Sequence, residues 1–247
     1  MAGTIEWPKH SGDLQLARDE IHVWAAPLGV EADPRAAFAR TLSPDETARA
    51  QRFKFEKHRN RFIAGRGVLR EILTRYLQIK PEELRFDYSA NGKPGFAAGV
   101  ESGGIHFNLA HSEDLALIAV TRIGPVGVDV ECVREMKDMD ELVERFFSVR
   151  ENERFQRVAA SEKAAAFFNL WTRKEALLKA TGEGITRSLS LVEVSFLAGE
   201  PARLVAVAGD VEKAKEWSLK ELAPAAGFVG ALAVRNERMK IKVFATG

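Results

Sequence analysis

The chain has 247 residues, 46% hydrophobic and 29% charged, with a net charge of +1. That length suits one large domain or two small ones around a substantial core, the composition excludes a disordered chain, and near-neutrality argues against a generally basic nucleic-acid binder. A single cysteine, Cys132, excludes an intrachain disulfide framework and a cysteine-based zinc cluster, and suits a reducing cytosol. The N-terminus lacks a basic-then-apolar signal pattern, and no apolar run approaches the roughly 20 residues that span a bilayer. The expectation is a cytoplasmic protein without a membrane segment.

Residues 1–20 are polar and predict no clear element. Ile21, His22, Val23 and Trp24 alternate as a strand that stops near Pro27 and Gly29. Leu42-Ser43-Pro44-Asp45-Glu46 predicts a helix start, with Ser43 as cap, Pro44 in the first helical position and Glu46 closing a capping box. A basic run follows through Arg49, Arg52, Lys54, Lys57, His58, Arg59 and Arg61. It leads into an amphipathic helix over about 61–77, with Phe62, Leu69, Ile72, Leu73 and Tyr76 on its apolar side. A turn or short helical start at 80–83 precedes a strand over 84–88, and Asn91-Gly92-Lys93-Pro94-Gly95 reads as a tight loop. Strands at 106–109 and 115–121 flank a loop at 110–114, and a further strand covers 126–131. Residues 134–160 are helical and charged, interrupted near 146–148. A helix over 167–181 stops at Gly182, and strands are expected around 190–196, 202–207, 227–234 and 240–244.

Two stretches carry candidate chemistry. On the 167–181 helix, Phe167, Leu170, Trp171, Leu177 and Leu178 form an apolar stripe, yet Lys174 falls in its middle and Glu175 on its edge. Lys179 follows Glu175 at i+4. The ordinary explanation is a snorkelling lysine and a surface ion pair, and it has about equal weight on the helix alone. In Val126-Gly127-Val128-Asp129-Val130-Glu131 the period of two sends the valines to one face and Gly127, Asp129 and Glu131 to the other. Two carboxylates roughly 7 Å apart on a strand repel unless a cation or donors lie between them, and Gly127 is expected to leave space beside them. Oxygen ligands of this kind suit Mg²⁺. A solvated strand face is the commoner outcome for a lone Asp-x-Glu. The basic run could bind phosphate, although a solvated helix face is the commoner outcome there too, and His111 could meet a phosphate as well. No Walker loop, zincin motif or Gly-x-Ser-x-Gly elbow is present, and Gly65-Arg66-Gly67 lies inside a helical pattern.

Together, Gly127-Val-Asp-Val-Glu131 and Trp171-Thr-Arg-Lys-Glu-Ala-Leu-Leu-Lys179 with Gly182-Glu-Gly184 resemble the paired signature of 4′-phosphopantetheinyl transferases. The long, monomeric Sfp-type branch is the closer match. Asn91-Gly-Lys-Pro94 and Phe107-Asn-Leu-Ala-His-Ser112 resemble that branch's coenzyme A-binding segments, and the likeness covers about residues 43–195. The resemblance implies an α+β fold of two similar halves related by a pseudo-twofold, residues 1–124 and 125–247, with the active site in the cleft between them. It implies Mg²⁺ held by Asp129, Glu131 and Glu175, and phosphate contacts from Lys179 and His111. Lys93 and Pro94 would flank the adenosine of coenzyme A, with Arg49 and Arg61 against its 3′-phosphate. Glu151, after Phe147-Ser148, matches a proposed general base. The chain departs from the family pattern at Ala110, where a serine often precedes the histidine, and at Glu46 and Phe62, among the 3′-phosphate contacts.

The implied reaction is attack by a serine of an apo acyl or peptidyl carrier protein on the β-phosphorus of coenzyme A, releasing 3′,5′-ADP. The partners are the carrier protein and coenzyme A, with neither nucleic acid nor membrane. Another Mg²⁺-dependent phosphotransferase, or a non-catalytic coenzyme A- or carrier-binding module, are the alternatives. The acid set Asp129, Glu131, Glu151 and Glu175 argues against a pure binder, which needs no positioned base.

Overall fold

Alternation along the strands decides the layering. The computed structural model describes residues 7–10, 14–182, 189–236 and 238–246. Four strands, β1 (Glu20–Pro27), β4 (His106–Ser112), β5 (Leu115–Thr121) and β11 (Lys240–Ala245), form one sheet in the order β11-β1-β5-β4. One face of this sheet, through Trp24, Ala26, Ile118 and Val120, packs on Ala64, Val68, Leu69 and Ile72 of the long helix α3 (Glu56–Leu77). The opposite face, through Ile21, Val23, Leu117 and Ala119, meets a second sheet at Val126, Val128, Val130, Leu232 and Val234.

That second sheet comprises β6 (Val126–Cys132), β9 (Ser218–Leu222) and β10 (Phe228–Val234), in the order β6-β10-β9. Its outer side carries Ala231 and Ala233 against α6 (Ala160–Thr181), which brings Phe167, Phe168, Leu170 and Leu177 into the same core. The result is an α+β fold layered helix, sheet, sheet, helix. Smaller elements complete it. They are α1 (Ala32–Thr41), α2 (Pro44–Gln51), the hairpin β2 (Phe86–Tyr88) and β3 (Pro94–Phe96), α4 (Met139–Phe146), α5 (Val149–Gln156), the pair β7 (Val192–Val194) and β8 (Leu204–Val207), and α7 (Val211–Lys215). Among the described residues no helix is long and apolar enough to cross a membrane.

The expected capping box at Ser43 is present, with the Ser43 amide donating to Glu46 Oε2 at 3.1 Å. Several boundaries differ from expectation. Helix α3 begins at Glu56 because its charged first turns lie on the solvent side, where polarity does not oppose a helix. Strand β4 runs through Ser112, so His111 sits on a strand rather than in a loop, and the turn shrinks to Glu113 and Asp114. Helices α1 and α7 and strand β9 were not expected. The terminal strand β11 does not form a hairpin with β10. It pairs in parallel with β1, Ile21 opposite Ile241, so residues 240–245 belong with the N-terminal sheet and a division at 124/125 is crossed there.

One buried polar cluster fixes the outer side of the first sheet. Trp24 Nε1 donates to the Tyr76 hydroxyl at 2.9 Å, leaving the tyrosine hydrogen for His22 Nδ1 at 2.8 Å. His22 Nε2 therefore carries its proton toward Glu20 Oε2, 3.3 Å away, and the ring is neutral. Burial holds the pKa of His22 below its ordinary value, with Glu20 opposing. A histidine whose pKa is lower folded than unfolded contributes stability that is complete above its unfolded value and is lost as pH falls from there through the folded value. His22 should therefore contribute a loss of melting temperature as pH falls below about 6.5, read as the difference between His22→Phe and the parent at each pH: the variant should lose less on acidification than the parent.

Candidate active site

The site is assembled where α6 crosses β6. A Cβ on Gly127 would stand 1.9 Å from the Ala176 carbonyl oxygen and 2.5 Å from the Ala180 amide. The expected space beside Gly127 is thus filled by helix backbone, and its missing side chain is what lets α6 approach the strand so closely. Gly127→Ala must push the two elements apart, with an expected cost of about 1–3 kcal/mol, or more, in urea unfolding. Activity should fall further than stability, because the same displacement separates Asp129 from Lys179.

Close approach brings Asp129, Glu175 and Lys179 together. Lys179 Nζ donates to Asp129 Oδ1 at 2.6 Å. Asp129 Oδ2 and Glu175 Oε1 are buried and have no partner. Burial raises the pKa of Asp129 to about 6, against the attraction of Lys179. Burial, then the neighbouring charge of Asp129, raises that of Glu175 to about 7. Glu131 is half-buried at the strand's end, where its Oε2 accepts from Ser112 Oγ at 2.7 Å and lies 3.6 Å from Arg134. Among the described residues no three His, Cys, Asp or Glu side chains stand as a ready-made metal-ligating cluster. Two buried, unpartnered carboxylate oxygens nevertheless fit a hard cation that takes one or two carboxylates and completes its shell with water and phosphate.

Cations and apolar surface surround these acids. His111 is exposed on β4, yet the protein around its ring, and the charges of Lys179, Arg61 and Arg66, lower its pKa. Lys93 Nζ donates to the carbonyls of Val126, at 3.3 Å, and Lys179, while Asn91 Nδ2 donates to the Gly182 carbonyl at 3.1 Å. The loop before β3 thus satisfies the otherwise unpaired carbonyl end of α6, where Gly182 stops the helix at φ 79°. The stem of Lys93, with Pro94, Phe96, Ile105, His106, Phe107 and Pro125, lines a cavity of about 260 Å³.

Other expected site residues stand differently. Arg61 is bonded to Asp114 and Glu113, both at 2.7 Å, and Arg49 lies over the Phe62 ring. Glu46 is buried and binds Arg70, its Oε2 2.6 Å from Nη2, so it is an anchor of the N-terminal core rather than a surface residue. Glu151 does not present a free carboxylate. Its Oε2 accepts from the Ser148 amide and from Lys174, and its Oε1 from the Val194 amide. Lys174 does not snorkel: it is wholly buried and also donates to the carbonyls of Leu189 and Val192. Glu183 and Gly184 lie outside the described residues.

Arg66 was missed. It is 6% exposed, lies over the Phe62 and Tyr88 rings, and has an Nη1 without a partner. The signal was available, since Arg66 follows Phe62 at i+4 and precedes Leu69 at i+3, which puts it on the buried side of the helix and calls for an anion or a structural partner.

Comparisons with known proteins identify the family. Residues 125–233 match the 4′-phosphopantetheinyl transferase superfamily model, and residues 32–122 match that of the 4′-phosphopantetheinyl transferase N-terminal region. The 4′-phosphopantetheinyl transferase HetI of Nostoc sp. is 42% identical over 92% of this chain and 93% of its own. A putative 4′-phosphopantetheinyl transferase of Synechocystis sp. is 34% identical over 69% and 68%. The transferase Sfp of Bacillus subtilis is 27% identical over 68% and 71%. Among solved structures, the Chronobacterium ammoiniagenes apo-ACPS structure covers 44% of this chain and 92% of its own, at 20% identity and a TM-score of 0.31. With 42% identity sustained across nearly the whole length, and with both halves matched in order, this chain belongs to the 4′-phosphopantetheinyl transferase superfamily.

Proposed function

We propose that this enzyme transfers the 4′-phosphopantetheine arm of coenzyme A to a serine of an apo acyl or peptidyl carrier protein and releases 3′,5′-ADP in a Mg²⁺-dependent reaction. The observation that carries this reading is the pair of unpartnered carboxylate oxygens on Asp129 and Glu175, buried beside Lys179. Asp129 and Glu175, with Glu131 beside them, would hold the ion, which when bound neutralises charge on the pyrophosphate.

The chain's own side chains supply the rest. The cavity combines the ring faces of Pro94, Phe96 and Phe107 with the polar groups of Lys93 and His106, a lining that suits a flat base such as adenine. His111 and Arg66, with Arg49 nearby, offer donors to the phosphates of the nucleotide end, and Arg66 has one unused. Arg61 can join them only by leaving Glu113 and Asp114. Lys179, already held toward the acids by Asp129, is placed to meet developing charge on the leaving phosphate. Glu151 serves this reading as the partner of Lys174, because both its oxygens are occupied. Serine attack then asks mainly for alignment and electrostatics from the protein. A monomeric, cytoplasmic enzyme is part of the proposal on the strength of the sequence resemblance.

The test is intact-protein mass spectrometry of an apo carrier protein incubated with this chain, coenzyme A and Mg²⁺, beside an EDTA control. The expected result is a gain of one phosphopantetheine arm that EDTA abolishes. Coenzyme A binding without transfer to several carriers would overturn the enzyme reading in favour of a binding module.

A further inference from the structure

Strand β6 carries the acids of the site and sits at the edge of its sheet. One side of it is hydrogen-bonded to β10, and among the described residues no strand pairs with the other. Strand β4 is likewise the edge of the N-terminal sheet. The two edges lie side by side without forming a ladder, and side chains of β4 take the place of ladder bonds. Asn108 Oδ1 accepts from the Val128 amide at 2.8 Å. Four residues further along both strands, Ser112 Oγ accepts from the Cys132 amide at 3.1 Å. Asp129, Val130 and Glu131 lie between the two fastened amides.

Ser112 does a second thing. A hydroxyl has one hydrogen, and with the Cys132 amide as donor that hydrogen goes to Glu131 Oε2 at 2.7 Å. The position of the Ser112 oxygen is thus fixed by the backbone of β6, and the rotamer of Glu131 is fixed by Ser112. Asn108 is 3% exposed and Val128 fully buried, so no water can replace this acceptor without rearrangement.

We infer that Asn108 and Ser112 are positioning residues for the carboxylates of β6: they lock the strand's register against the N-terminal half and orient Glu131. The inference rests on the transferase reading for its kinetic consequence but not for its structural one. Groups behind metal-binding carboxylates typically change affinity or rate by ten- to a hundred-fold when removed. Neither residue touches the acids' unpartnered oxygens, so the effect belongs on turnover and metal affinity rather than on coenzyme A binding.

The experiment uses the full chain with Ser112→Ala, Ser112→Thr, Asn108→Ala and Asn108→Asp. It measures amide hydrogen exchange at Val128 and Cys132 by NMR, Mg²⁺ affinity by calorimetry, and kcat and KM for coenzyme A. Ser112→Ala should speed exchange at Cys132, weaken Mg²⁺ binding and lower kcat by about ten- to a hundred-fold, with KM within about two-fold of the parent. Ser112→Thr keeps the hydroxyl and should restore all three. Asn108→Ala should speed exchange at Val128, and Asn108→Asp, which keeps an acceptor, should slow it again. Unchanged exchange in the folded alanine variants, or a raised KM with intact kcat, would overturn the inference. If Asn108→Ala does not fold, the Ser112 pair decides. A parent protein that transfers nothing, while exchange and Mg²⁺ binding respond as described, would sink the transferase reading and leave the lock standing.

Discussion

Asp129→Ala and Glu175→Ala should each reduce phosphopantetheine transfer by about a hundred- to a thousand-fold while leaving the fold intact. The two carboxylates are not structural cement. Each is almost fully buried, each has an oxygen without a partner, and each has its pKa raised by burial. A carboxyl whose folded pKa lies above its unfolded value contributes most below the unfolded value, near pH 4, and that contribution is lost as pH rises to the folded one. For Glu175 the loss is complete above about pH 7. In metal-free buffer at about pH 8, Glu175→Gln should therefore melt at or above the parent's temperature, and with Mg²⁺ supplied it should transfer almost nothing. Thermal melts with and without Mg²⁺ separate the two effects: the parent should gain stability from the ion and the variant little. A Glu175→Gln protein with near-parental turnover, or one that melts far below the parent, would contradict the placement of this carboxylate at the reacting phosphates.

How much of this was legible in the sequence depends on whether a residue's signal is local. The Ser43 capping box, the α6 stripe with its Gly182 stop, and the alternation of β6 are set by neighbours within a few positions, and all are present as read. The resemblance carried by residues 126–131 and 171–179 identified the family from the same local text. The parallel pairing of β11 with β1 joins segments more than two hundred residues apart, and nothing in 240–245 distinguishes a hairpin partner from a distant one. Gly127 was readable as a small residue, but its use as the contact point of α6 depends on a helix fifty residues away. Asn108 and Ser112 were hidden for a similar reason, since their partners are backbone amides and leave no trace in side-chain pattern. Lys174 stood out as a charge in an apolar stripe, and only the fold shows that its answer is Glu151 rather than solvent.

That pair yields the second large effect. Lys174→Met should cost about 3–5 kcal/mol, measured by urea unfolding, because it leaves the carboxylate of Glu151 buried without a cation. Against a typical domain stability of about 5–15 kcal/mol this is enough to leave much of the protein unfolded when warmed. Burial already holds the pKa of Lys174 below its ordinary value, and the charge of Glu151 and its hydrogen bond oppose that shift. Replacing both members by apolar residues, as in Lys174→Met with Glu151→Leu, removes the stranded charge and should recover part of the loss. The double variant also decides what Glu151 does. The Ser148 and Val194 amides would lose their acceptor, so recovery is incomplete on structural grounds alone. If Glu151 acts only by anchoring α5 and β7 to α6, transfer per folded molecule returns toward the parental rate. If Glu151 takes the proton from the attacking serine, stability returns and transfer does not. With both of its oxygens occupied by Lys174 and two backbone amides, the expected result is the first.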